Sequence, residues 1–197
     1  LVRGGEVMPH SQILACIIDS NDFSVGGGSA ASLTGGIAAA LVAMVARLST
    51  GKDFGLNQSK YLEIAEEADS LAQELLKGAG EDAKAYSLVK EAHSMPKATP
   101  EEQAARSGAI QIALTGAAMV PKENARRCRR VQELCDVLEG KSNPCAGSDL
   151  AVARFLAVAA LMGCILNIEA NINSIKDSGA TSAIREEAVQ LRKFAAK

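Results

Sequence analysis

Residues 23–46 read FSVGGGSAASLTGGIAAALVAMVA, with no charge between Asp22 and Arg47. The stretch is long enough to cross a bilayer. Its content points elsewhere, because Gly26, Gly27, Gly28, Ser29, Ser32, Thr34, Gly35, Gly36 and a run of alanines offer little apolar area to lipid. Side chains this small serve instead to bring neighbouring backbones close together. The stretch therefore predicts a helix over Ser29 to Ser49, buried inside a tightly packed bundle rather than in a membrane.

A second segment of the same kind runs from Leu150 to Ile168, where Arg154 is the single charge. A helix that is apolar on all sides must be enclosed. A 197-residue bundle has a limited interior, so part of that enclosure is expected from a second subunit. Elsewhere apolar residues recur at helical spacing, and no run alternates with hairpin turns between. The chain thus reads as one all-α domain over residues 1–197, an up-and-down helical bundle forming a homodimer. The predicted helices are Ser11 to Asp19, Ser29 to Ser49, Gln58 to Lys77, Glu81 to His93, Pro100 to Met119, Lys122 to Leu138, Asp149 to Ile175 and Ser182 to Ala195. The best-marked start is Thr99-Pro100-Glu101-Glu102: Thr99 caps, Pro100 suits the first helical position, and Glu102 completes a capping box. Ile110, Ala113, Leu114, Ala117 and Ala118 then form one apolar stripe, with Glu101, Gln103 and Arg106 on the solvent side.

Composition narrows the partners. With 48% apolar residues the chain can bury its own core, and a net charge of −2 with 3% aromatic residues gives nucleic acid neither an electrostatic nor a stacking surface. Five cysteines, at 16, 128, 135, 145 and 164, form no C-x-x-C pair. Neither a disulfide framework nor a metal knuckle follows from that spacing, and a reduced, cytoplasmic setting is expected. Cys128 and Cys135 read as buried thiols within a helix.

Several groups could carry chemistry. Gly26-Gly27-Gly28-Ser29 stands directly before a long helix, where glycines admit a ligand closely and the first N–H groups face a polar or anionic edge. The same pattern also serves a turn that merely starts a helix. Asp82 lies between alanines with Tyr86 one turn on; beside an apolar site its acid form is favoured, as a proton donor requires. Alternatively, it is a first-turn acid answering the helix dipole after Gly78-Ala79-Gly80. Lys97, in Met95-Pro96-Lys97, hangs on a short connector within reach of a carboxylate or carbonyl. Asn143, Ser148 and Asp149 precede or open the second apolar helix and suit capping. Asn167 and Asn171 recur at i, i+4 within that helix, where a buried amide without partners costs about 1 to 3 kcal/mol. They mark a polar pocket or an inter-helix hydrogen bond. From Lys122 to Arg130, five basic residues and one acid give a local charge of +4. That run is either a solvated face or, through Arg126, Arg127 and Arg130, a docking stripe for a polyanionic tail.

Taken in order, these segments resemble the cyclodeaminase/cyclohydrolase family, which includes the C-terminal domain of formimidoyltransferase-cyclodeaminase and free-standing bacterial relatives. The resemblance runs through Gly26 to Ala31, Asp82 to Tyr86, Met95 to Lys97, Thr99 to Glu102, Val120-Pro121, Asn143, Ser148 to Leu150, Asn167 and Asn171. Two positions depart from the family pattern: Val25 stands where a proline usually precedes the glycines, and Arg154 charges a helix that is commonly apolar. The resemblance implies a dimeric helical enzyme without a metal. A reduced folate, carrying the one-carbon unit as substrate, would bind a groove lined by the glycine turn, Lys97, Asn143, Ser148, Asp149, Asn167 and Asn171. Asp82 matches the family's acid, and the basic stripe would take a polyglutamate tail. The leading expected reaction converts 5-formimidoyl-tetrahydrofolate to 5,10-methenyl-tetrahydrofolate and ammonia. Hydrolysis of 5,10-methenyl-tetrahydrofolate in the same pocket is the alternative, and a non-catalytic ligand-binding dimer is a third reading.

Overall fold

The computed structural model describes residues 2–3, 6–7 and 25–195 of the chain. Its five α-helices are α1 (Gly27–Leu48), α2 (Gln58–Ser94), α3 (Pro100–Leu138), α4 (Gly147–Ile172) and α5 (Ser178–Ala195). A 3-10 turn, Pro144–Ala146, leads into α4. Val2–Arg3 pairs antiparallel with Glu6–Val7. A two-residue ladder has no sheet face to bury, so the fold class is all-α. The predicted helix Ser11 to Asp19, with Cys16, lies outside the described residues.

Helix α1 is the centre of the bundle, packed chiefly on α2 and α4, while α3 closes against α2 and α4, and α5 against α4 and α3. Its small residues act as the sequence predicts. A methyl group at Gly35 would stand 2.7 Å from Cys128 Sγ, and one at Gly163 of α4 would stand 2.8 Å from Ala31 Cβ. Ala38, Ala39, Val42 and Val45 are completely buried, as are Ala157, Leu161, Cys164 and Ile165 of α4. Cys128 and Cys135 are likewise buried and free.

Two predicted breaks do not occur. Gln58 to Lys77 and Glu81 to His93 are one helix of 37 residues, because α2 runs on through Gly78-Ala79-Gly80. Glycine weakens a helix by about 1 kcal/mol relative to alanine, a cost that tertiary packing overrides. At Gly78 that packing is visible, since a Cβ there would lie 2.1 Å from Asn124 Oδ1 of α3.

The second missed join is at Pro121, inside the 39-residue α3. Proline lacks the N–H that should bond the carbonyl four residues back, here that of Ala117. The Asn171 side chain of α4 donates its Nδ2 to the Ala117 oxygen at 2.9 Å. A neighbouring helix thus replaces the bond that proline removes, and the helix continues.

The capping box at Thr99 forms in both directions: Glu102 N–H donates to Thr99 Oγ1 at 3.2 Å, and Thr99 N–H donates to Glu102 Oε2 at 3.2 Å. Arg106 does more than face solvent, for its guanidinium donates to the His93 carbonyl at the end of α2. Arg154 turns outward and pairs with Asp136 of α3 and with Glu139 at its C-cap, so its charge leaves the core of α4 undisturbed.

Candidate functional site

The first turn of α1, the middle of α2 and one face of α4 meet around a cleft of about 320 Å³. Gly26, Gly27 and Gly28 form one wall; Asp82, Ala85, Tyr86 and Val89 form another, with Ala117, Asn167 and Asn171 completing it. Helix spacing explains the α2 wall, because residues 82, 85, 86 and 89 share one face.

Asp82 reaches across to the start of α1. Ser29 Oγ donates toward Asp82 Oδ2 at 3.0 Å and lies equally near the Ala79 carbonyl oxygen. With the Asp82 carboxyl in place a side chain at position 28 has no room: its Cβ would stand 2.4 Å from Oδ1 and 2.5 Å from Oδ2. Glycine at 28 is thus required for the carboxyl to seat itself against the helix end. Burial raises the Asp82 carboxyl above its ordinary 3.8, while the Ser29 hydroxyl and the Ser29 backbone N–H pull the other way. Burial prevails, and the acid form gains.

Asn167 sits beside Gly27, with Nδ2 donating to the Gly163 carbonyl one turn back at 2.8 Å. Its oxygen has no partner among the described residues, so it offers the cleft an acceptor. Asn171 also lines the cleft, although its amide hydrogen serves the Ala117 carbonyl. Ser29, predicted to touch ligand, is only 1% exposed; it contacts the acid instead.

The remaining predicted site residues lie elsewhere in the subunit. Asn143 caps the 3-10 turn and donates to the Leu48 carbonyl, at the end of α1 opposite the glycines. A helix of 22 residues spans about 33 Å. Ser148 and Asp149 occupy the first turn of α4 near Asn143 rather than its cap, and within one subunit this group does not join the cleft. Lys97 is exposed on the connector between α2 and α3. Arg126 pairs with Glu187 and Glu123, Arg127 with Glu74, and Arg130 with Glu67 and Glu133. The basic run is therefore a clamp between helices α2, α3 and α5.

Sequence reasoning missed Val89 and Ala117. Val89 was recoverable, being seven residues from Asp82 on the same face. Ala117 was read as part of an apolar stripe, and that it borders the cleft was not readable, since which face of α3 meets α2 is decided by packing. A more open apolar groove of about 620 Å³ adjoins the cleft, sharing Ala85 and Ala117 and lined also by Leu88, Met95 and Ile112. Its carboxylate, Glu91, is exposed, whereas the smaller cleft holds an acid whose pKa is raised by burial. Among the described residues no group of three or more His, Cys, Asp or Glu is placed to hold a metal ion.

Residues 14–190 match the family model described as formiminotransferase-cyclodeaminase. The chain belongs to this family. A relative from Methylorubrum extorquens named methenyltetrahydrofolate cyclohydrolase is 36% identical over 159 residues, covering 77% of this chain and 74% of that protein. The formimidoyltransferase-cyclodeaminase of Gallus gallus is 32% identical over 153 residues; 77% of this chain is covered but only 28% of the longer protein. The crystal structure of formiminotetrahydrofolate cyclodeaminase from Thermotoga maritima has the same fold, with a TM-score of 0.83 over 96% of this chain and 90% of that one, at 23% identity.

Proposed function

We propose that this formiminotransferase-cyclodeaminase family member is an enzyme of folate one-carbon chemistry, with Asp82 as the proton donor of the cleft beside Gly26, Gly27 and Gly28. One observation carries the reading: a carboxyl whose acid form is favoured by burial lines a polar cleft at a glycine turn that admits no side chain at position 28. On 5-formimidoyl-tetrahydrofolate, N10 attacks the amidine carbon held by N5, and the N10 proton passes to the imino nitrogen as its C=N bond becomes single. The tetrahedral adduct then carries an amino group, which leaves as ammonia once protonated. Asp82 supplies that proton, and the electron pair of N5 or N10 forms the new C=N bond of 5,10-methenyl-tetrahydrofolate. The glycine wall and the Asn167 oxygen orient the pterin, so that N10 stays close to its target. The reduced folate is substrate and carrier, and these proton transfers call for no metal.

The 36% identity to a named methenyltetrahydrofolate cyclohydrolase favours a second reading. Water adds to the same carbon, Asp82 accepts a proton, and ring opening yields a formyl product. The two are separated by incubating the protein with each folate. Ammonia release from the formimidoyl compound supports the first; loss of methenyl absorbance without ammonia supports the second. Turnover of neither, with no folate-dependent rise in melting temperature, overturns both and leaves a non-catalytic helical protein.

The proposed enzyme is a cytoplasmic homodimer with neither membrane nor nucleic acid as partner. Support comes from α1, whose apolar run is 61% buried, whereas that of Pro144–Ile172 is 39% buried and leaves a face for a second copy. Val152, Phe155 and Leu166 of α4 and Ile37 and Leu48 of α1 stand exposed. A second copy covering those side chains removes them from water.

A further inference from the structure

Ser29 Oγ has two acceptors at 3.0 Å, the Ala79 carbonyl and Asp82 Oδ2, and one proton to give. One turn along α1, Ser32 is similarly buried and donates to the Leu75 carbonyl alone, at 2.6 Å. The two serines tie the same pair of helices together, so adhesion between α1 and α2 does not explain why only the first also meets a carboxyl. At 1% exposure Ser29 is sealed from any ligand in the cleft. Its hydroxyl acts on Asp82 or on nothing in the reaction.

We propose that Ser29 is a positioning residue for the acid: its hydroxyl holds Oδ2, so that the transferable proton resides on Oδ1, and it tightens that hold as the proton leaves. The inference rests on the reading of Asp82 as proton donor. Among the described side chains the Ser29 hydroxyl is the donor to the carboxyl, and it meets Oδ2; the Ser29 backbone N–H also favours the charged form, and the transferable proton is assigned to the other oxygen, Oδ1. While Asp82 is protonated, Oδ2 is a neutral oxygen, and the hydroxyl is shared with the Ala79 carbonyl. Once Asp82 has discharged, Oδ2 bears charge, and the hydroxyl turns fully to it, because bonds to an ionised acceptor are roughly twice as strong as neutral ones. The buried hydroxyl is satisfied in both states, and the carboxylate left by proton transfer is stabilised against its own desolvation.

Few other groups enter this balance. Facing the carboxyl from α1 are Gly28 and Ser29, from α3 Ala117, from α4 Asn167 and Asn171, none of them ionisable. Among the described residues Tyr86, on the same helix, is the other ionisable side chain of the cleft, and the nearby Lys77 and Glu81 pair with one another toward solvent.

The test compares Ser29→Ala, Ser32→Ala and Asp82→Asn in the full chain. Removing the Ser29 hydroxyl deprives the carboxylate of a donor, so Asp82 retains its proton to higher pH. The alkaline limb of the kcat profile should move upward, and kcat at neutral pH should fall about tenfold with KM within about twofold, a fraction of what general acid catalysis supplies. Carbon-13 NMR of labelled aspartate, assigned by its loss in Asp82→Asn, should report the same upward movement and requires no turnover. Ser32→Ala should lower the melting temperature and leave both titrations in place. An unmoved Asp82 titration in folded Ser29→Ala, or an equal movement in Ser32→Ala, overturns the proposal while Asp82 stands as the acid. Full activity in Asp82→Asn removes the acid itself, and with it the foundation of this inference.

Discussion

At the residue scale, Asp82 combines two demands that oppose each other. A carboxyl with a raised pKa binds a proton more tightly in the folded than in the unfolded chain. Its contribution to stability is full below the ordinary 3.8 and is lost as pH rises through the raised folded value. Asp82→Asn keeps the shape without the charge, so this variant should melt at or above the wild type at neutral pH, with the gap closing near pH 4. Differential scanning calorimetry across pH measures that gap. The same substitution should lower kcat by about 10² to 10⁴, the usual share of general acid catalysis, and a steady-state assay with either folate checks it. Gly28→Ala puts a methyl group onto the carboxyl oxygens; kcat should fall while the circular dichroism spectrum stays helical. The glycine turn and Asp82 were each legible as candidates, because both bear chemistry that few other residues here could perform. The burial of Ser29 was not, because it follows from where α2 lies against α1.

At the scale of elements, two helices persist where local propensity would end them. Asn171 and Pro121 form a testable pair. In the native background Asn171→Ala strips the Ala117 carbonyl of its donor and should cost about 1 to 3 kcal/mol. With Pro121→Ala present, the restored N–H takes that carbonyl, and the cost of Asn171→Ala should shrink. A double-mutant cycle by urea denaturation checks this, and additive losses would show that the two residues are independent. The capping box at Thr99 was readable because its bonds join residues three apart. The continuity of α2 and α3 was hidden, since the groups that sustain it, Asn124 beside Gly78 and Asn171 beside Ala117, come from other helices.

For the whole molecule, the cross-helix clamp and the exposed apolar faces make separate predictions. Each of the five basic side chains from Lys122 to Arg130 has a carboxylate neighbour, at 2.6 to 3.9 Å. Exposed pairs of this kind are worth little singly and weaken with salt. With its charge already compensated, the stripe should give polyglutamylated folates no more than about a threefold advantage over monoglutamates at physiological salt. A strong, salt-sensitive gain in a binding titration would restore its docking role. For the proposed homodimer, Phe155→Glu, at a side chain 73% exposed, should shift sedimentation from dimer toward monomer without unfolding the bundle; sedimentation as monomer before the substitution removes the dimer. The sequence by itself determined that this chain is helical, that α1 and α4 are its most apolar helices, and that Gly26 to Gly28 and Asp82 are candidates for its chemistry. Those properties are periodic or local, and periodicity and local chemistry are written in consecutive residues. Only the tertiary structure decided that Asp82 meets Gly28, that Asn143 stands at the far end of α1, and that the arginines are spent on carboxylates. Each of these depends on which helix faces join, a choice made by packing side chains distant along the chain.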